Sequence, residues 1–228
     1  MILRMSCIAR NLINSYYLIL FSVILATNMQ ISTQAKDDTK NYKPNELVEI
    51  VKLDSTIKLD IRYATKNNFL KRPVYKFAKA YLQKPVAEDL IKVNKELKNF
   101  GYGLLVFDGY RPWSVTKIFW DELEPEKRIF VADPKKGSIH NRGCAVDLTL
   151  YDLKTGKSIN MPSDYDEFSE RAYPSYKGST EEQSKNRDFL IEKMQNHNFK
   201  VHSNEWWHFD HSNCNEYKIL DLTFEEIQ

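Results

Sequence analysis

The stretch Ser138-Ile139-His140-Asn141-Arg142-Gly143-Cys144-Ala145-Val146-Asp147 sets a histidine and an aspartate on either side of one glycine, where an apolar strand is predicted to begin. Glycine adopts left-handed backbone conformations at little cost, so the chain can turn at Gly143 and let His140 and Asp147 converge. Nearer the C-terminus, Glu205-Trp206-Trp207-His208 supplies a second histidine, with a carboxylate three residues before it.

These residue types are the ones that bind a metal ion. Two histidines and one carboxylate form a set of three protein ligands, which is typical of catalytic zinc with a fourth position left open. The remaining carboxylate is then available as a general base. Spacing alone leaves structural roles open, because a single histidine is more often structural than a ligand. We treat His197, His202 and His211 as surface or structural residues.

The spacing of Glu205 and His208 also constrains the backbone. In a regular strand, side chains three residues apart point to opposite faces. Both side chains can reach one site only if the strand is irregular, so we predict a bulge or turn near Trp206-Trp207.

Periodicity predicts interspersed strands and helices. Alternating apolar residues from Val48 to Ile61 suggest two extended segments around Asp54-Ser55. The clearest helix runs from Pro85 to Phe100, with Gly101 after it. The predicted strands and helices do not follow one another in a regular βαβ repeat, which favours an α+β domain over a doubly wound sheet. The other predicted elements are strands at Tyr102–Phe107, Cys144–Tyr151, Phe199–His202 and Trp206–Phe209, and helices from Pro112 to Leu123 and from the Thr180 capping box to Asn196.

Composition excludes several classes of protein. With 228 residues, 42% hydrophobic and 28% charged, the chain is long enough for one sizeable core and is not disordered or of low complexity. Its 33 basic and 31 acidic residues form no global basic field, so we expect no nucleic-acid partner.

The N-terminal segment resembles a signal for export. Arg4 and Arg10 precede a short apolar run and no acid occurs before Asp37, so we predict a signal peptide over 1–35, with an uncleaved anchor as the alternative. A flexible arm is predicted over 36–46 and the functional domain over 47–228. After cleavage we expect no stable membrane span and a periplasmic or extracellular location. We expect the remaining cysteines, Cys144 and Cys214, to be free thiols, because Cys144 stands among the candidate ligands.

A series of further motifs stands in a fixed order along the chain. Together they resemble the D-alanyl-D-alanine dipeptidases of the vancomycin-resistance type, which are zinc peptidases related to the D-Ala-D-Ala carboxypeptidases and to the Hedgehog signalling domain. The resemblance extends over roughly 47–210, although Cys144 stands where the family motif often has serine. The motifs are Arg62-Tyr63-Ala64-Thr65, Asp108-Gly109-Tyr110-Arg111-Pro112, Ser138-x-His140, Ser163-Asp164-Tyr165-Asp166 and Glu205-Trp206-Trp207-His208-Phe209.

The resemblance implies a fold and a set of roles. The fold would be a single α+β domain, with a mainly antiparallel sheet and flanking helices. One zinc ion per chain would be held by His140, Asp147 and His208, with Glu205 as the base. In the same comparison Arg111 would stabilise the oxyanion, Asp166 would hold the substrate ammonium, and Ser138 and Tyr63 would help to bind the dipeptide.

These roles predict a zinc dipeptidase that hydrolyses D-Ala-D-Ala, or a closely related dipeptide, in cell-wall dipeptide turnover. One alternative is a D,D-carboxypeptidase or peptidoglycan endopeptidase with the same metal ligands; Asp166 and Tyr63 favour the dipeptidase. A second alternative is a binding domain that keeps the zinc but has lost turnover; the presence of Glu205 and Arg111 argues against it.

Overall fold

A five-stranded sheet lies at the centre of the structure, which is a computed structural model that describes residues 41–227. Its strand order is β2-β4-β5-β7-β6, and all neighbours are antiparallel except the parallel pair β2 and β4. Strands β1 and β3 form a separate antiparallel pair. The strands are β1 Leu47–Glu49, β2 Lys58–Leu59, β3 Tyr81–Gln83, β4 Tyr102–Asp108, β5 Ala145–Asp152, β6 Phe199–His202 and β7 Glu205–His211.

Four α-helices accompany the strands in residues 41–227. This confirms the predicted α+β class with a mainly antiparallel sheet and flanking helices. In the same part of the chain, no helix has the length and apolar character needed to cross a membrane. The helices are α1 Ile50–Leu53, α2 Lys84–Lys98, α3 Trp113–Glu122 and α4 Glu181–Gln195, and the 3-10 turns are Arg62–Ala64, Pro125–Phe130, Ile139–Arg142, Glu170–Ala172 and Cys214–Glu216.

Helix α2 confirms the clearest helical prediction. Proline stands in its first turn, and Gly101 follows it with a φ of +85°, a conformation that favours glycine. Its apolar face is fully buried, which explains why amphipathic spacing located the helix correctly. The buried apolar residues of that face are Val86, Ala87, Leu90, Val93 and Leu97.

Capping chemistry explains the start of α4. The Thr180 hydroxyl accepts a hydrogen bond from Gln183 N, while the Gln183 side chain accepts one from Thr180 N. Two of the amide groups that a helix start leaves unpaired are thereby satisfied. The predicted capping box is confirmed.

The segment from Val48 to Ile61 differs from the prediction of two extended stretches. It contains the short strand β1, the single helical turn α1 and the two-residue strand β2. The turn forms because Ile50 is completely buried and its carbonyl accepts a hydrogen bond from Asp54 N at 3.1 Å. Tertiary burial of one side chain overrides the period-two pattern here.

Asp89 ties helix α2 to the last strand of the sheet. Its Oδ2 lies 3.0 Å from His211 Nε2 on β7 and accepts a hydrogen bond from Asn198 Nδ2 at 2.7 Å. Burial alone would raise the pKa of Asp89, but hydrogen bonds from Lys92, Asn198 and His211 lower it to about 2. The ionised carboxylate therefore holds β7 in place from behind the sheet.

The domain boundaries remain predictions. The signal peptide predicted over 1–35 lies outside the described residues, as does the first part of the arm predicted over 36–46. In the described part, Lys43 N donates to Glu216 O at 2.8 Å, and Lys84 N donates to Glu46 O at 2.9 Å.

Candidate metal centre

The turn that carries His140 is fixed by its own sequence. The Ser138 hydroxyl accepts a hydrogen bond from His140 N, and the Asn141 side chain accepts one from Ser138 N. Gly143 ends the turn with a φ of +67°, as its position predicts, and a side chain there would collide with Leu47. Glycine adopts this conformation without strain, so the turn delivers His140 to the start of β5.

Asp147 and His208 face each other across the β5–β7 ladder, where they form a directly opposed pair. Asp147 Oδ1 lies 3.1 Å from His208 Nδ1 and 3.3 Å from His140 Nε2, and the two ring nitrogens are 3.1 Å apart. All three residues are buried. The sheet register and the capped turn thus bring the three predicted ligands together.

The three donor atoms fit a divalent cation. One suitable atom from each residue lies within 4.8 Å of the others, and Asp147 Oδ1 is buried with no hydrogen-bond partner. Buried acceptors that face one another unpaired are costly, and a cation at their centre removes that cost. Two imidazoles and a carboxylate are a ligand set that suits zinc.

Outer hydrogen bonds orient the ligands. His140 Nδ1 lies 2.7 Å from Gly109 O, which assigns the proton to Nδ1 and leaves Nε2 free for a metal. His208 Nε2 lies 2.9 Å from Asp210 Oδ1, which leaves Nδ1 free in the same way. Asp210 was not predicted, although it follows His208 by two residues and so shares its face of the strand.

Asp147 is held as a carboxylate. Burial would raise its pKa, but His140 and His208 keep it well below the ordinary value. The Tyr165 hydroxyl donates to Asp147 Oδ2 at 3.0 Å, so the second oxygen is occupied while Oδ1 faces the histidines. Tyr165 is a further site residue that the sequence did not assign.

Glu205 lies beside the ligands. Its Oε2 is 3.5 Å from His208 Nδ1, and burial raises its pKa to about 7. A carboxyl group with such a pKa can both accept and release a proton near neutral pH. The irregularity predicted near Trp206-Trp207 is confirmed, because Val201 pairs with Phe209 whereas the next residue, His202, pairs with Glu205.

Arg111 is held at the site by the carboxylate of Asp108, a residue to which the sequence assigns no role. Arg111 Nε donates to Asp108 Oδ2 at 2.9 Å, and Arg111 Nη2 lies 3.5 Å from Asp147 Oδ2. Asp108 also accepts from the Tyr75 hydroxyl at 2.9 Å and from Gly109 N at 2.9 Å. The sequence could have indicated this contact, because Asp108 stands three residues before Arg111 in the motif Asp108-Gly109-Tyr110-Arg111-Pro112.

Asp166 is a buried carboxyl group with one unsatisfied oxygen. The Tyr63 hydroxyl donates to its Oδ1 at 3.1 Å, whereas Oδ2 is buried without a hydrogen-bond partner. Asp166 also has a φ of +59°, which is uncommon outside glycine. Burial, aided by the charge of Asp147, raises its pKa well above the ordinary value.

All eight predicted site residues line one cavity of about 230 Å³. They are Tyr63, Arg111, Ser138, His140, Asp147, Asp166, Glu205 and His208. His202, expected to be a surface or structural residue, also lines the cavity, and its ring centroid is 5.1 Å from that of His208. An apolar wall completes the cavity and includes Phe69, Phe119, Ile129, Phe130, Val131 and Phe168.

Replacing any one of His140, Asp147 and His208 with alanine should reduce bound zinc from about one ion per chain to well below that. A site of three protein ligands loses much of its affinity when one donor is removed. The measurement is metal analysis after dialysis. His197→Ala is the matched control, because His197 pairs with Glu96 at 2.8 Å and does not line the cavity. Full zinc in two of the three ligand variants would contradict the assignment.

Comparisons with known proteins agree with this geometry. The peptidase M15 family, described as D-ala-D-ala dipeptidase, matches residues 43–227. A D-alanyl-D-alanine dipeptidase of Enterococcus faecium is 34% identical over an alignment of 174 residues, with 67% of this chain and 85% of the relative covered. One from Enterococcus faecalis is 34% identical over 191 residues, with 75% of this chain and 89% of the relative covered. One from Escherichia coli is 30% identical over 175 residues, with 77% of this chain and 89% of the relative covered. The chain therefore belongs to the D-Ala-D-Ala dipeptidase family of zinc peptidases.

Proposed function

We propose that this protein hydrolyses the peptide bond of free D-alanyl-D-alanine, or of a closely related dipeptide, to two amino acids. One observation carries the proposal. A single small cavity contains the three ligands, the carboxyl group of Glu205, the guanidinium of Arg111 and the unsatisfied carboxyl group of Asp166. The names of the relatives supply the stereochemistry of the substrate.

Glu205 is the base in this proposal. Zinc held by His140, Asp147 and His208 would supply Lewis-acid activation of the scissile carbonyl and lower the pKa of a water molecule. Glu205 then accepts a proton from the attacking water and returns it to the leaving amine. Its pKa of about 7, raised by burial, suits a group that must take up and release one proton in each cycle.

Arg111 stabilises the negative charge that develops on the carbonyl oxygen. Its guanidinium is held by Asp108 at 2.9 Å and the residue is only 7% exposed, so the group needs little rearrangement when the charge forms. The guanidinium charge is permanent and its donors form a rigid planar fork. Asp108 is a positioning residue, since it acts through Arg111.

Asp166 binds the substrate ammonium. An unpartnered oxygen on a buried carboxyl group is costly, and a cation placed there would satisfy it and favour the ionised form. Tyr63 orients the carboxyl group through its hydrogen bond to Oδ1. Ser138 lines the same cavity, so we assign it to dipeptide binding in addition to its capping hydrogen bond.

The size of the cavity supports a small substrate. Its volume of about 230 Å³ is below the ~300–1,000 Å³ of pockets that hold drug-sized ligands. On a longer wall peptide, the amine near the scissile bond would be part of an amide and would bring no cation to Asp166. A D,D-carboxypeptidase or peptidoglycan endopeptidase therefore has no need of this buried carboxyl group.

We also propose that the protein is exported and acts on wall-derived dipeptide outside the cytoplasm. The basic residues Arg4 and Arg10 ahead of a short apolar run support this location. Mature protein recovered from the exported fraction should begin near Lys36 when its N-terminus is sequenced. Recovery from the cytoplasmic fraction of chains that begin at Met1 would overturn the export proposal. It would not affect the proposal that the protein hydrolyses the dipeptide.

Glu205→Gln should keep about one zinc per chain while kcat falls by about 10²–10⁴-fold, because the amide preserves the shape but cannot accept a proton. Metal analysis and the rate of D-alanine release measure the two effects. Glu181→Gln is the control, since Glu181 is an exposed residue of α4 that pairs with Lys185. Hydrolysis by Glu205→Gln at nearly the parental rate, or a loss of zinc as complete as in His208→Ala, would refute the role.

N-acetyl-D-Ala-D-Ala should be hydrolysed with a kcat/KM about 10²-fold below that of the free dipeptide, because it cannot place an ammonium on Asp166. Asp166→Asn should remove most of this preference, mainly by impairing hydrolysis of the free dipeptide. Asp164→Asn should retain the preference, since Asp164 is exposed and pairs with Arg62. Equal rates on both substrates with the parent protein would favour the carboxypeptidase or endopeptidase instead.

A further inference from the structure

Two buried cysteines lie close together outside the cavity. Cys144 directly precedes β5 and Cys214 begins the turn after β7, 70 residues further on. The Cys214 thiol lies 3.3 Å from Cys144 O and 2.6 Å from His211 O. The adjoining backbone is also paired, because His211 N donates to Cys144 O at 2.9 Å.

Both cysteines are free thiols in the structure, as expected. That expectation rests on Cys144, because in the sequence it stands among the metal ligands. The structure gives it no place in the ligand set, and its Sγ lies 3.5 Å from Arg142 O. Cys144 does not line the cavity, so nothing in the proposed chemistry uses its thiol.

We propose that Cys144 and Cys214 form an intrachain disulfide when the protein folds in an oxidising environment. The oxidant is a small-molecule or protein disulfide, such as glutathione disulfide. One cysteine thiolate attacks that disulfide, forms a mixed disulfide and releases one thiol. The other cysteine attacks the mixed disulfide, forms the S–S bond and releases the second thiol. The two cysteines lose two protons and two electrons, and the oxidant is reduced to two thiols.

Burial of the two thiols determines at which stage the disulfide can form. The thiolate is the reacting form, and the neighbouring Cys144 thiol, together with burial, raises the pKa of Cys214 far above the ordinary value. In the folded protein both thiols are buried, with Cys144 completely inaccessible. The bond therefore forms during folding, while the thiols are still accessible, and is afterwards protected from reductants.

The crosslink would brace the metal centre. The loop that it closes contains Asp147 and His208, and the two ends of that loop are the start of β5 and the end of β7. A disulfide that closes a loop of this length stabilises the fold mainly by restricting the unfolded chain. We therefore expect the oxidised protein to have the higher melting temperature. The proposal is independent of the dipeptidase function, because the test uses no substrate.

The experiment uses the full chain with Cys7 replaced by serine, so that Cys144 and Cys214 are the only cysteines. The protein is refolded with zinc in a mixture of reduced and oxidised glutathione, denatured, treated with iodoacetamide and examined by mass spectrometry. We expect no alkylated cysteine and a cleavage product that joins the peptides of Cys144 and Cys214. Two alkylated cysteines, or a glutathione adduct on one of them, would overturn the proposal.

Thermal unfolding provides a second measurement. Refolding in reductant instead should lower the melting temperature of this protein by on the order of 5–15 °C. A variant that also carries Cys144→Ser and Cys214→Ser should melt at the same temperature under both conditions. An equal effect of reductant on both proteins, or no effect on either, would show that the crosslink does not contribute and would count against the proposal.

Discussion

Three buried ligand side chains that converge on one point are the constraint on which the rest of the structure depends. Asp147 and His208 are opposite each other on the central strands β5 and β7, and His140 approaches from a capped turn. Their acceptor atoms face one another at 3.1 to 3.3 Å, with Asp147 Oδ1 lacking any hydrogen bond. Strand pairing and the Gly143 turn hold the three ligand side chains close together, so metal binding and folding are thermodynamically linked.

The charges around the cavity also favour a bound cation. Four carboxyl groups line it, from Asp147, Asp166, Glu205 and Asp210, whereas Arg111 is the one lysine or arginine among its lining residues in the described part of the chain. Burial without enough positive charge raises the pKa of both Glu205 and Asp166. In the proposed function, a divalent ion and a substrate ammonium would supply the missing charge at two separate points, and each would favour the ionised carboxylates.

Local chemistry explains which parts of this structure could be predicted from the sequence. Helix α2 and the capping box at Thr180 were predictable because their signals lie within one or two turns of chain. The ligands were predictable because few residue types bind zinc and because the motifs occur together. The turn α1 was not, since its formation depends on the burial of Ile50 by distant residues. Asp108, Tyr165 and Asp210 were missed for a related reason: each acts through another side chain, and only the folded structure shows that contact.

The irregular strand β7 separates the role of Glu205 from that of the ligands. His208 stays in the ladder with β5, opposite Asp147, whereas Glu205 pairs with His202 of β6 beyond the register shift. The residues between them are stabilised by packing, because Trp206 and Trp207 are almost fully buried and Trp206 Nε1 donates to Ser163 Oγ at 2.8 Å. Burial of two indole rings contributes several kcal/mol, which is enough to offset the lost ladder hydrogen bonds. The result is a carboxyl group 3.5 Å from a ligand nitrogen but outside the β5–β7 ladder that fixes the ligands, a position that suits the proton acceptor of the proposed function.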